Sequence, residues 1–145
     1  MVFPGFPQLR LWPEAAAALG DDPETLSLIH PRLEKRARRS VQGFSSTPLP
    51  LRRIYVLEEG KIQEIKPLEP TEALVELKRN SYSPQLQQSV GEAWHFFQCA
   101  GVVKNVSIRR LRRPRSLPAL SDLARLVEED LFQSLERSTG GSHSP

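Results

Sequence analysis

The sequence predicts a mixed α/β fold, of the α+β kind, in which helices flank a central β-hairpin. Residues 51–58 are rich in the β-branched and aromatic side chains that strands prefer. Residues 84–100 repeat apolar side chains at three- and four-residue steps, the period of a helix. Proline accounts for 13 of the 145 residues, which favours short elements joined by stiff turns. The length suits one domain, expected over residues 1–137, with a disordered tail over residues 138–145.

The N-terminal third predicts a strand followed by two short helices. Polar and apolar residues alternate over residues 8–12, as in a half-buried strand. Pro13 and Gly20 bracket an alanine-rich stretch, the positions that proline and glycine favour at the ends of a helix. An Asp-Pro pair then predicts a second short helix over residues 24–29. The basic residues 33–41 fit a strand or an ordered loop, and periodicity does not decide between them.

The strongest local signal is the β-hairpin. Residues 51–58 and 61–68 both have strand composition, and only Glu59 and Gly60 separate them. Two such runs joined by a short glycine-containing turn are typical of a hairpin. We therefore expect these two strands to pair with each other.

The C-terminal half predicts three helices and one strand. A first helix opens at Pro70 and carries an apolar stripe. A longer one covers residues 84–100, and Gly101 is a natural C-terminal stop. Residues 103–111 alternate as a strand. A final amphipathic helix follows Pro118.

Basic residues are concentrated in two clusters, although the formal net charge is only +3. Residues 32–39 hold five cations and one anion, and residues 104–115 hold six cations and no anion. Such clusters attract phosphate groups, and the alternative for each is a solvated surface. The better candidates for charge-assisted bonds to phosphate oxygens are Lys35, Arg36, Arg38 and Arg39. Nucleic acid is not expected as a partner, because no aromatic residue lies between Lys104 and Arg115.

The sequence lacks the motifs that define several classes of enzyme. Neither the phosphate loop G-x-x-x-x-G-K-[ST] nor the motifs G-x-G-x-x-G and G-x-S-x-G occur. The single Cys99 excludes an intramolecular disulfide, and the three histidines lack metal-ligand spacing. We therefore predict no catalytic residue and no metal site in this chain. His95 lies four residues before Cys99 and could orient a thiolate, but a small buried side chain is the favoured interpretation of Cys99.

The sequence also predicts a cytoplasmic protein with no membrane partner. No stretch reaches the roughly 18 apolar residues of a membrane span. The first residues lack the charged and apolar regions of a signal peptide.

Four segments resemble HPr-kinase-like proteins, which are ATP-dependent serine kinases with a phosphoenolpyruvate-carboxykinase-type nucleotide fold. The most specific segment is PGFPQLRLWP at residues 4–13. Residues 33–36, 48–57 and 110–117 support it by their order and spacing. The resemblance covers residues 3–132, which is nearly the whole chain.

The resemblance implies a partial kinase domain. In the family, the phosphate loop and an Asp-containing strand lie upstream of the matching segment and hold ATP and magnesium. We therefore expect the C-terminal portion of such a kinase, inactive alone, with Lys35 and Arg36 facing the nucleotide site. The expected partners are a P-loop-bearing N-terminal segment or chain and a phosphoacceptor protein.

Two further expectations concern the edge of the sheet and an alternative function. Because few strands are predicted, the sheet has an incomplete edge where N-terminal strands would pack. We therefore expect the chain to form a homo-oligomer, to be poorly soluble, or to gain stability from a P-loop-bearing partner. The alternative function is a non-catalytic phosphate-, nucleotide- or protein-binding module that uses the basic clusters. A nucleic-acid binder ranks last.

Overall fold

The computed structural model describes residues 1–40, 42–81 and 91–139, with side chains to residue 133. The described residues form a mixed α/β protein with two three-stranded sheets and four α-helices. Contacts divide the chain into two compact units, residues 1–51 and 52–145. Two such units can still fold cooperatively, so the single domain over residues 1–137 stays a prediction.

The first unit is a three-stranded antiparallel sheet with one short helix. Its elements are β1 (Gln8–Leu11), α1 (Pro13–Ala18), β2 (Ser27–His30) and β3 (Leu33–Arg39), with a 3-10 turn at Pro23–Thr25. β3 lies in the middle, and β1 and β2 both pair with it in antiparallel fashion. The predicted strand and first helix are confirmed, and the basic segment is a strand. The predicted helix over residues 24–29 is wrong beyond Thr25, because Ser27–His30 pairs with β3 instead.

The described part of the second unit contains the other sheet and three helices. Its elements are β4 (Arg53–Glu59), β5 (Glu64–Pro67), α2 (Pro70–Asn80), α3 (Glu92–Asn105), β6 (Ser107–Arg113) and α4 (Leu120–Thr139). The strand order is β4-β6-β5, in which β6 is parallel to β4 and antiparallel to β5. The helix predicted from Pro70 and the final helix are confirmed.

The predicted hairpin is wrong, because β6 lies between its two strands. Even at the expected turn the backbone is bonded to β6, because the Gly60 N–H donates to the Arg113 carbonyl oxygen at 2.9 Å. β6 also carries Ile108 and Leu111, two of the few buried apolar residues. Pairing of β6 with both β4 and β5 buries apolar side chains, whereas direct pairing of β4 with β5 would add only a favourable turn. The arrangement with β6 in the middle is therefore the more stable one.

The predicted end of the long helix is also wrong. α3 continues through Gly101 to Asn105, and the following strand starts at Ser107 rather than residue 103. A glycine within a helix costs only about 1 kcal/mol relative to alanine, which packing readily offsets. Residues 84–90 of the predicted helix lie outside the described residues, as do residues 140–145 of the predicted tail. Ser138 and Thr139 belong to α4.

Few side chains are fully covered among the described residues. The buried apolar residues are Ala16, Ala73, Cys99, Ile108 and Leu111. In contrast, twenty large hydrophobic residues are exposed, Phe6, Phe97 and Phe132 among them. No helix in the described ranges is long and apolar enough to cross a membrane.

Candidate functional site

The four predicted phosphate-binding residues divide between the two faces of β3. Successive side chains of a strand point to opposite faces, so Lys35 and Arg39 lie on one face and Arg36 and Arg38 on the other. The register with β1 supports this arrangement, because Leu11 lies opposite Arg36 and Arg10 opposite Ala37. The four cations therefore do not form one site.

The face of Arg36 and Arg38 already has its own carboxylates. Arg36 Nη2 lies 3.2 Å from the Glu24 carboxylate, and Arg38 Nε lies 2.5 Å from Asp21. Both acids belong to the segment that joins β1 to β2, and β1 and β2 flank β3 on opposite sides. The connection therefore crosses this face of β3, and its acids neutralise the two arginines.

The opposite face combines cations with an aromatic ring. Lys35 Nζ lies 5.1 Å from the centroid of the Trp12 ring, a cation–π distance, and Trp12 remains 49% exposed. Arg10 lies on this face by register, beside Arg39 on β3. Both arginines are exposed, and neither has an ion pair within the described part of the chain. We call Arg10, Trp12, Lys35 and Arg39 the open basic face.

Sequence reasoning missed two members of that face. Arg10 and Trp12 lie in the alternating segment 8–12, which marked them as one side of a strand. The signal was present in that alternation, but the pairing of β1 with β3 was not deducible from it. Only the register brings Arg10 and Trp12 to Lys35 and Arg39.

Asp130 of α4 is a buried carboxylate that is surrounded by two arginines and a tyrosine. It is 8% exposed and forms ion pairs with Arg53 of β4 and Arg109 of β6. The Tyr55 hydroxyl donates to it at 2.6 Å. The Nε atoms of both arginines are buried without a hydrogen-bond partner among the described residues. Asp130 therefore holds α4 on this face of the sheet and compensates two buried charges.

The environment of this cluster shifts two pKa values. Burial raises the pKa of Tyr55, and the hydrogen bond to Asp130 raises it further. Burial acts to lower the pKa of Arg53, but hydrogen bonds to Tyr55 and Asp130 outweigh it, so the pKa is raised. Tyr55 is thus a neutral donor and Arg53 a permanent cation at physiological pH.

The other face of β6 carries a network of arginines and glutamates. Arg110 lies 2.9 Å from Glu58 and 2.8 Å from Glu72. Arg112 lies 2.7 Å from Glu58 and 2.9 Å from Glu64. A cleft of about 210 Å³ is lined in part by these residues. Because carboxylates already occupy the guanidinium groups, an incoming phosphate would meet negative charge there.

Cys99 is buried, as the sequence predicts, and its surroundings make it a poor nucleophile. Its Sγ lies 3.6 Å from His95 Nε2, but Ser81 Oγ lies closer to the same nitrogen, at 2.7 Å. Burial raises the pKa of the thiol, and a protonated thiol is unreactive. We therefore assign Cys99 a packing role.

No group of three or more His, Cys, Asp or Glu side chains suited to a metal ion is found among the described residues. Of the two cations that the resemblance directs at the nucleotide, only Lys35 lies on the open basic face, whereas Arg36 is bonded to Glu24.

Comparison of the chain with family models, with curated proteins and with solved structures gives no match. The described residues thus define a mixed α/β protein that has an open basic face in its first unit and two clusters of ion-paired arginines in its second unit.

Proposed function

We propose that this chain is the C-terminal portion of an HPr-kinase-like ATP-dependent serine kinase and that it has no phosphotransfer activity by itself. It works in the cytosol with a P-loop-bearing segment or chain, which supplies the contacts to ATP and magnesium, and it acts on a phosphoacceptor protein. The proposal is supported by the order and spacing of the four resembling segments and by the absence of a phosphate loop from the sequence.

The observation that carries the proposal is the shortage of buried apolar side chains. Phe6 is 90% exposed and Phe97 67% exposed, whereas the apolar side chains buried among the described residues are all small or medium. We infer that part of this exposed apolar surface is a contact surface for further protein, as large exposed apolar patches are. An incomplete kinase domain has that property, because its missing part would cover such surface.

The proposal is tested by assaying the purified chain for hydrolysis of ATP in the presence of magnesium. We expect no turnover above a buffer blank. Turnover by the chain alone that disappears on substitution of one of its own residues would overturn the proposal. A positive arm mixes the chain with a P-loop-bearing polypeptide of the resembling family and looks for a cooperative rise in melting temperature.

The alternative function is a non-catalytic module that binds phosphate or a nucleotide, and the open basic face favours it. Lys35 and Arg39 lie on one side of β3, away from Asp21 and Glu24. Calorimetry with ATP in the absence of magnesium tests this alternative. The double variant Lys35→Ala/Arg39→Ala should abolish binding if the face is the site.

Lys104→Ala/Arg115→Ala is the matched control, because both residues are exposed and the charge change is equal. If both double variants weaken binding equally, attraction is non-specific and this alternative fails. If wild-type protein binds no ATP, the alternative fails as well, while the incomplete-domain proposal stands.

A further inference from the structure

β4 is an edge strand with an apolar run. It has β6 on one side, and no second strand pairs with it among the described residues. Its Ile-Tyr-Val-Leu run at residues 54–57 is continuously apolar, a pattern typical of strands that are covered on both faces. Leu57 is 60% exposed. Such an edge presents unpaired backbone groups to another strand.

The opposite edge of the same sheet, β5, differs from β4 in length and in its lysine and proline content. β5 has four residues and ends in Lys66 and Pro67. A short strand, a lysine and a proline are the usual features that prevent edge-to-edge pairing. β4 has seven residues with neither lysine nor proline. The sheet is thus closed to further strands at β5 and open at β4.

The charges along β4 complement those of a second copy in antiparallel orientation. The segment begins with Arg52 and Arg53 and ends with Glu58 and Glu59. If Tyr55 of one copy lies opposite Tyr55 of the other, Arg52 lies opposite Glu58 on the same face of the sheet. Opposite charges in such cross-strand pairs are favourable.

The apolar residues fit the same register. With Tyr55 at the centre, Ile54 lies opposite Val56, so that two apolar side chains meet. The two neighbouring registers that preserve the faces have Val56 or Ile54 at the centre. The first would set Ile54 against the Glu58 carboxylate, and the second would set Val56 against the Arg52 guanidinium. The Tyr55-centred register is therefore the favourable one.

We propose that two copies of the chain associate through their β4 strands, antiparallel and about a two-fold axis at Tyr55. The product is one continuous six-stranded sheet with β5 at both ends. A self-complementary edge generates a closed dimer rather than a chain of subunits, because the described residues of the second unit leave a single sheet edge, β4, open in each copy. This inference is independent of the proposed relation to kinases.

Sedimentation equilibrium of the full chain tests the proposal. We expect wild-type protein to sediment at twice its 16.4 kDa mass and to dissociate on dilution. Leu57→Lys places a lysine within the exposed apolar run of the edge strand, a change that discourages strand pairing, and should raise the dissociation constant roughly tenfold or more. Ile62→Lys is the matched control, since Ile62 is 61% exposed and lies outside the strands; it should dimerise as wild type does.

A second variant protects the test against misfolding of the first. Arg52→Glu changes an exposed residue just before β4 and should also weaken the dimer by repulsion from Glu58, whereas Arg115→Glu should not. A wild-type chain that is monomeric at all concentrations would overturn the proposal. Dimerisation of both Leu57→Lys and Arg52→Glu with the wild-type dissociation constant would also overturn it. The same holds if the chain is monomeric and its β4 edge binds a strand of a different protein.

Discussion

Gly60 lies directly against the side chain of Arg112. A methyl group at position 60 would overlap Arg112 Cγ and Cδ. The guanidinium of the same arginine bonds Glu58 of β4 and Glu64 of β5. The absence of a side chain at Gly60 thus lets the arginine lie across the end of β4 and connect both outer strands to the central one.

Gly60→Ala should lower the free energy of unfolding, because the new methyl group displaces Arg112 from its two glutamates. Gly101→Ala is the informative comparison. Gly101 lies within α3 with no heavy atom within 4 Å of an added Cβ, so alanine should stabilise the protein by about 0.5–1 kcal/mol. Urea denaturation measures both. Effects of the same sign would contradict this account.

Asp130→Ala should destabilise the protein by about 3–5 kcal/mol, because it leaves the buried Arg53 and the partly buried Arg109 without their counter-charge. Asp122→Ala, on the same helix, should cost about 1 kcal/mol or less, because Asp122 and its partner Arg125 are largely exposed. Chemical denaturation measures the difference. Equal losses would mean that Asp130 does not hold α4 to the sheet.

Stability should fall at alkaline pH in a way that depends on Tyr55. Burial, and then the hydrogen bond to Asp130, raises the pKa of Tyr55 above its ordinary value, so the folded state favours the neutral phenol. The associated stabilisation is complete below the unfolded pKa and is lost as the pH rises through the folded pKa. Urea midpoints between about pH 9 and pH 11 should therefore decline more steeply for wild type than for Tyr55→Phe. Parallel curves would exclude the effect.

The Cys99 thiol should react slowly with iodoacetamide in the folded protein. Its pKa is raised by burial, so little thiolate is present at neutral pH. Adding denaturant should accelerate the reaction strongly. A folded-state rate equal to that in denaturant would indicate an accessible or activated thiol instead.

Sequence reasoning succeeded where local chemistry decides the structure. A proline in the first turn correctly predicted both α1 and α2, and the alternation of polar and apolar residues correctly predicted β1. It failed where a distant segment competes with a local one. Glu59 and Gly60 carry a genuine turn signal, but the partner of β4 lies far along the chain, beyond both α2 and α3.

The candidate site was predictable only in part, for the same reason. Composition located the cations of β3, yet which of them face carboxylates depends on where Asp21 and Glu24 cross the strand. The arginines of β6 likewise find their partners on β4, α2 and α4. A run of basic residues in the sequence indicates that an anion could bind there. Ion pairs with distant residues then decide how many of these cations stay available for such binding.

The central position of β6 has a consequence for how the chain is made on the ribosome. β4 and β5 emerge first, and neither has a partner until Ser107–Arg113 follows. During that interval both sides of β4 are open, and its apolar run can pair with any nascent strand nearby. Closing the parallel pair then requires a long loop to form, which slows folding. Slowed elongation between β5 and β6 should therefore lower the yield of native protein more than slowed elongation after Arg113.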